Sequence, residues 1–151
     1  MQIRDAMSDD VQIANANQSI RDAAILMAKI DAGSLPVGEN DRLVGMITDR
    51  DIAVRAIALG KGPDTLVRDV MSEEVKYCFE NDDVGEVAQN MSDLKIRRLP
   101  VLNKSKRLVG IVSLGDLALA DGPANAGEAL CSISEPGGAH SQSSEVAAAA
   151  R

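Results

Sequence analysis

Two short polar stretches hold the side chains best suited to chemistry: Thr48-Asp49-Arg50-Asp51 and Ser113-Leu114-Gly115-Asp116. Each follows an apolar run with glycine at its centre, Leu43-Val44-Gly45-Met46-Ile47 or Leu108-Val109-Gly110-Ile111-Val112, and each opens a helix-like run. A hydroxyl three residues before a carboxylate, where a strand hands over to a helix, suits two tasks. The first is structural: the pair forms a reciprocal capping box, at about 1 kcal/mol per cap. The second is recognition. A carboxylate can accept both hydroxyls of a ribose diol, while first-turn N–H groups and the positive end of the helix attract phosphate. The two tasks are compatible, since one Asp can hold a cap in the empty protein and a ribose in the bound one.

Arginines near these stretches add a choice of the same kind. Ile96-Arg97-Arg98 precedes Leu99-Pro100, and a fork of guanidinium groups there would neutralise phosphate. The matching Ala32-Gly33-Ser34 carries no charge, so two unequal sites, or one working site, are expected. Arg50 is a second phosphate candidate, with Gly115 at the equivalent position. The alternative for Arg97 and Arg98 is a surface pair bridged to the many acidic residues.

Other chemistry has no support in the pattern. No nucleophile stands beside a base, no metal ligands cluster, and no Gly-Lys-Ser/Thr phosphate loop is present, so neither catalysis nor a metal site is expected. Cys78 and Cys131 form no CxxC pair; Cys78 reads as a buried, inert thiol, while Cys131 lacks an activating partner. His140 follows Gly137-Gly138 in a stretch that reads as a mobile tail. A net charge of −7 with one Phe, one Tyr and no Trp argues against nucleic acid as a partner. No apolar run approaches the ~20 residues that span a bilayer, and the N-terminus has no signal-peptide core, so a cytoplasmic protein without a membrane partner is expected.

The elements that must position these residues occur twice. Arg4-Asp5-Ala6-Met7-Ser8 returns as Arg68-Asp69-Val70-Met71-Ser72, an offset of 64 that also relates Met27 to Met91 and Pro36 to Pro100. From Gly45 and Gly110 onward the offset is 65, one residue having entered a turn, where length changes are tolerated. In each copy a short strand (Val11–Ala14, Val75–Cys78) leads to an amphipathic helix. Ser19 caps the first, whose stripe is Ile20, Ala23, Ala24, Met27 and Ala28, with Gly33 as its stop. Val84, Val87, Ala88, Met91 and Leu94 make the second stripe. Leu-Pro-Val then begins a hairpin, with proline expected at a strand start or edge. The run Ile52–Leu59, broken only by Arg55, predicts a helix apolar nearly all round, which needs cover from a second copy, its sister repeat or residues 123–134.

The fold class is therefore α/β (α+β), with two β-α-β-β-α repeats packed sheet to sheet as a pseudo-twofold pair, because a ~60-residue unit is marginal alone. Repeat 1 with its lead-in segment takes residues 1–62 and repeat 2 takes 63–122. Residues 123–151 form a C-terminal extension, largely a flexible tail with a short helix near Glu128-Ala129-Leu130.

The paired Met-Ser lead-in, helix ending in Met, Leu-Pro-Val strand and Gly-x-x-[Thr/Ser]-x-x-Asp closely resemble a tandem CBS-domain pair, the module named after cystathionine β-synthase, over roughly residues 3 to 120. The resemblance implies an adenosine-type ligand (AMP, ADP, ATP, NAD or S-adenosylmethionine) in the cleft between repeats. It implies Thr48 and Asp51 at one site and Ser113 and Asp116 at the other, Ile13 and Tyr77 flanking the bases, and the segment ending in Ser34 or in Arg97-Arg98 completing each pocket. It also implies a homodimer formed through the apolar helices. The expected function is a regulatory sensor that signals to a target protein by changing shape. The alternatives are a ligand-free dimeric scaffold with vestigial pockets and, more weakly, a redox-responsive dimer using Cys78 or Cys131.

Overall fold

A computed structural model describes residues 1–40 and 42–136. The expected tail at 137–151, with His140, lies outside the described residues. The chain is mixed α+β, with two three-stranded sheets and five α-helices among the described residues. Strands β1 (Ala14–Asn15), β2 (Ser34–Glu39) and β3 (Arg42–Thr48) form one sheet in that order; β4 (Cys78–Phe79), β5 (Arg98–Leu102) and β6 (Leu108–Ser113) form the other. Helices α1 (Ile20–Ile30) and α2 (Asp49–Arg55) belong to the first repeat, α3 (Val84–Leu94) and α4 (Leu114–Asp121) to the second, and α5 (Pro123–Ser134) follows.

Helix α1 forms where the pattern predicts. Ser19 accepts the Asp22 N–H at 3.1 Å, and Ile20, Ala23 and Met27 turn one buried face to the sheet, while Ala24 and Ala28 are exposed. Its stop is not Gly33. Asp31 takes the left-handed conformation (φ 54°), as Lys95 does after α3 (φ 55°), and the Ala32 N–H closes the end on Met27 O at 3.0 Å. The predicted Ile52–Leu59 helix also breaks: α2 stops at Arg55, Ala56 leaves helical geometry (φ −121°, ψ −70°), and Ile57–Leu59 form a separate 3-10 turn. Ala56 is buried, so the break places a small residue inward and leaves Ile57 and Leu59 outward.

Pro36 lies inside β2, the middle strand, and not at a start or edge. It fits because β1 meets β2 only at Val37 and Gly38, so no ladder bond requires an N–H at position 36. On its other side Pro36 faces Met46, whose own N–H and C=O both bond Ser72.

The lead-in segments are exchanged between repeats. One compact unit holds Asp10–Tyr77 with Leu102–Val109; the other holds Met1–Asp9, Cys78–Val101 and residues 110–136. Thus Met1–Asp9 packs with the second repeat, and the segment through Met71-Ser72 packs with the first. The bonds run in parallel: Arg68 N–H to Ala16 O (3.0 Å) and Val67 N–H to Gln18 O (2.8 Å) in one unit, Arg4 N–H to Glu80 O (2.9 Å) and Ile3 N–H to Asp82 O (2.9 Å) in the other. Arg68 pairs with Glu39 at 2.9 Å and bonds Asn17, while Arg4 bonds Asn81. Val67, Val70 and Met71 complete a core with Ile20, Met27, Leu35, Val37 and Ile47, each such side chain contributing about 1.5–3 kcal/mol by burial.

Residues 123–134 form a longer helix than the short one expected. Pro123 opens α5, which packs on α3 and α4 and buries Ala126 and Ala129.

Candidate functional site

In the first-repeat unit, β3 runs straight into α2, so Thr48 is at once the last strand residue and the helix N-cap. Its Oγ1 accepts the Asp51 N–H at 3.0 Å, and Asp51 Oδ2 accepts the Thr48 N–H at 2.9 Å. The capping box is therefore formed, and it does not exhaust the groups in it. Asp51 Oδ1 accepts no hydrogen bond among the described residues, and the Thr48 hydroxyl still has a proton to donate. Ser34 lies directly opposite Thr48 in the β2–β3 register and is buried. Directly opposed residues share a sheet face, so Ser34, Thr48 and Asp51 gather at one end of the hairpin, with Arg50 exposed on the same turn.

The second-repeat unit repeats the arrangement. Ser113 Oγ accepts the Asp116 N–H at 3.1 Å, and Asp116 Oδ2 accepts the Ser113 N–H at 2.8 Å. The Leu114 N–H bonds Arg97 O at 2.8 Å, as the Asp49 N–H bonds Gly33 O at 2.9 Å. Arg98 opens β5 as Ser34 opens β2, and both Arg97 and Arg98 are exposed. Neither forms an ion pair among the described residues, so the surface-pair alternative has no acidic partner there.

Ile13 and Tyr77 stand apart from these clusters. Ile13 precedes β1, on the far side of β2 from β3 and level with Pro36 rather than with Ser34, the partner of Thr48. It is 49% exposed and lines a cleft of about 380 Å³ with Asn15, Glu39, Arg42, Leu43 and Arg107, which Thr48 and Asp51 do not line. Tyr77, also exposed, ends the first-repeat unit, the boundary falling between Tyr77 and Cys78.

One residue of the first cluster was not singled out from the sequence. Asp49 takes the Arg50 N–H on Oδ1 at 2.8 Å, and its carboxylate lies against Gly33, where a Cβ would meet Oδ2 at 2.9 Å. The signal lay in comparing the copies: Gly33 with Asp49 in one, Arg97 with Leu114 in the other.

Residues 3–57 and 67–122 each match the family model described as the CBS domain. The chain belongs to the CBS-domain family. The CBS domain-containing protein YhcV of Bacillus subtilis is 42% identical over 133 residues, 87% of this chain and 94% of that protein. Among solved structures, the CBS domain pair of protein MJ0100 in complex with 5′-methylthioadenosine and S-adenosyl-L-methionine is 32% identical; the match covers 81% of this chain and 96% of that one, with a TM-score of 0.72. CBSX2 in complex with AMP is 25% identical, with 80% and 95% covered and a TM-score of 0.69. Hypoxic Response Protein I with two coordinated zinc ions is 34% identical, with 79% and 98% covered and a TM-score of 0.70. Among the described residues of this CBS pair, no group of three or more His, Cys, Asp or Glu side chains is placed to hold a metal. No helix among the described residues is long and apolar enough to cross a membrane.

Proposed function

We propose that this CBS pair is a cytoplasmic regulatory module that binds an adenosine nucleotide or nucleoside and passes the occupancy to a target protein. The observation that carries the reading is the doubled hydroxyl–carboxylate box: Thr48 with Asp51 and Ser113 with Asp116, each with one carboxylate oxygen that accepts no hydrogen bond among the described residues. That oxygen and the hydroxyl proton suit a ribose diol, and the adenosine ligands of the MJ0100 and CBSX2 structures support the same chemistry. Ser34 and Arg50 serve the first site and Arg97 and Arg98 the second, with Ile13 and Tyr77 as the residues that flank the bases. Signalling requires that the ligand bind one conformation better than another, since equal affinity shifts nothing. The module works as a homodimer through the apolar surface around α2, which carries the exposed Val54, Ile57 and Leu59.

The test is a thermal-shift titration with AMP, ADP, ATP, NAD, S-adenosylmethionine and a guanosine control, on wild type, Asp51→Ala and Asp116→Ala. A ligand at ~100 times its Kd stabilises by about 2.7 kcal/mol, which is several degrees here. Each variant is compared with its own ligand-free melt, because losing a cap lowers the baseline by about 1 kcal/mol. A shift in wild type that one Asp substitution removes identifies the working site. If no adenosine ligand moves the melt at millimolar concentration, the sensor reading fails and the dimeric scaffold takes its place.

A further inference from the structure

We propose that the two half-sites sort adenosine ligands by the charge of the 5′ substituent. The Ser113/Asp116 half takes phosphorylated ligands, and the Thr48/Asp51 half takes uncharged or sulfonium-bearing ones. This rests on the adenosine-binding reading above and says which member of that class each half accepts.

The argument begins with Gly33. A Cβ there would stand 2.9 Å from Asp49 Oδ2 and 3.3 Å from its Cγ, so the carboxylate occupies the volume that a side chain at position 33 would need. Its Oδ1 accepts the Arg50 N–H at 2.8 Å, and the Asp49 backbone is tied to the same glycine by its N–H on Gly33 O at 2.9 Å. The first half therefore holds a carboxylate beside the pair proposed to grip the ribose.

In the second half the same backbone bond is kept, Leu114 N–H to Arg97 O at 2.8 Å, while both side chains change. Leu114, at the Asp49 position, is buried, and Arg97, at the Gly33 position, is exposed. The shared bond sets the Arg97 backbone beside the first turn of α4, where Leu114 stands in place of the Asp49 carboxylate. Arg98, at the Ser34 position, adds a second guanidinium. Counting Asp49, Arg50 and Asp51 against Arg97, Arg98 and Asp116, the first half carries a charge of −1 and the second +1. A phosphate gains charge-assisted, forked hydrogen bonds from the second set. Near the first it meets Asp49, which Arg50 only partly offsets; a thioether meets no such opposition, and a sulfonium is attracted.

The experiment is isothermal titration of the full chain with AMP and with 5′-methylthioadenosine, on wild type, the double variant Arg97→Ala/Arg98→Ala, and Asp49→Asn. In the double variant AMP should lose at least ~10-fold more affinity than methylthioadenosine, as expected for loss of charge-assisted contacts. AMP binding to wild type should also weaken more steeply with salt. Asp49→Asn, which keeps the side-chain shape, should strengthen the weaker AMP site about threefold or more. Circular-dichroism melts verify that each variant is folded. Equal losses for both ligands, or AMP indifferent to the arginine pair while Asp116→Ala abolishes its binding, would overturn the sorting and leave the adenosine reading standing. If neither compound binds wild type, the adenosine reading fails and the sorting falls with it.

Discussion

Cys78 and Cys131 differ in their access to solvent, which governs whether a reagent can reach a thiol. Cys78 is buried with Sγ 3.9 Å from Pro100 O, and burial, helped by the charge of Asp82, pushes its thiol up to about 12 from an ordinary 9.0. Cys131 is exposed on α5. Ellman's reagent should therefore modify Cys131 in the native protein and Cys78 only after unfolding; rapid native labelling of both would sink this. The shift also has a sign in stability. Above the unfolded thiol's value the unfolded chain has lost this proton while the folded one retains it, so fewer protons are bound in the unfolded state and stability falls as pH rises from about 9 towards 12. Urea melts at pH 7, 9 and 10 should show a steeper decline in wild type than in Cys78→Ala, and identical slopes would refute the linkage. At this scale the sequence was legible where the partners are local. Thr48 and Asp51 form their box three residues apart, and a hydroxyl-x-x-acid spacing announces it. Asp49 was not legible, because its partner Gly33 lies across the fold and a glycine gives no side-chain signal.

The elements repeat more faithfully than their sequence boundaries suggest. Gly45 and Gly110 each receive a methionine from an exchanged lead-in segment: a Cβ would stand 2.6 Å from Met71 Sδ in one unit and 2.6 Å from Met7 Sδ in the other. The thioether can swing aside, but the backbone cannot. The same Cβ would lie 2.8 Å from Ser72 O or 2.9 Å from Ser8 O, and both carbonyls are held in paired bonds, Ser72 to Met46 and Ser8 to Ile111. Gly45→Ala and Gly110→Ala should each cost about 1–3 kcal/mol by overpacking, seen as a lower Tm at about 2–4 °C per kcal/mol. Trimming the flexible partner, as in Gly110→Ala with Met7→Ala, should recover little of the loss. Full rescue would locate the strain in the methionine and refute the argument from the carbonyl. The repeat itself, both long helices and the hairpins were readable because they rest on periodicity and on offsets of 64 and 65. The exchange was not, since a lead-in segment bears the same residues whichever repeat it packs against. Nor was the break at Ala56, where inward packing of a small residue overrides an unbroken apolar run.

For the molecule as a whole, the unequal treatment of the two helix pairs bears on assembly. In the second-repeat unit α5 lies against both α3 and α4. In the first-repeat unit α1 and α2 pack on each other, and Ile25, Val54, Ile57 and Leu59 are left open, the last two 61% and 68% exposed. Helix α5 lies on the second pair, which still leaves Leu94 and Leu119 exposed, and the first pair keeps the four apolar side chains just named in water. Clustered apolar exposure of this kind marks an interface, and a twofold pairing of two such surfaces lets each copy cover the other. Sedimentation equilibrium should accordingly give twice the 15.9 kDa chain mass at high micromolar concentration. Ile57→Glu with Leu59→Lys should return the mass to that of one chain. Both side chains are largely exposed in the single chain, so the variant should keep its far-UV spectrum and, at low protein concentration, a Tm close to that of wild type. Loss of fold in the variant would mean that the surface is covered from within the chain. A wild-type protein that sediments as a monomer at high micromolar concentration would remove the dimer from the proposal while leaving the ligand titrations to decide the sensor on their own.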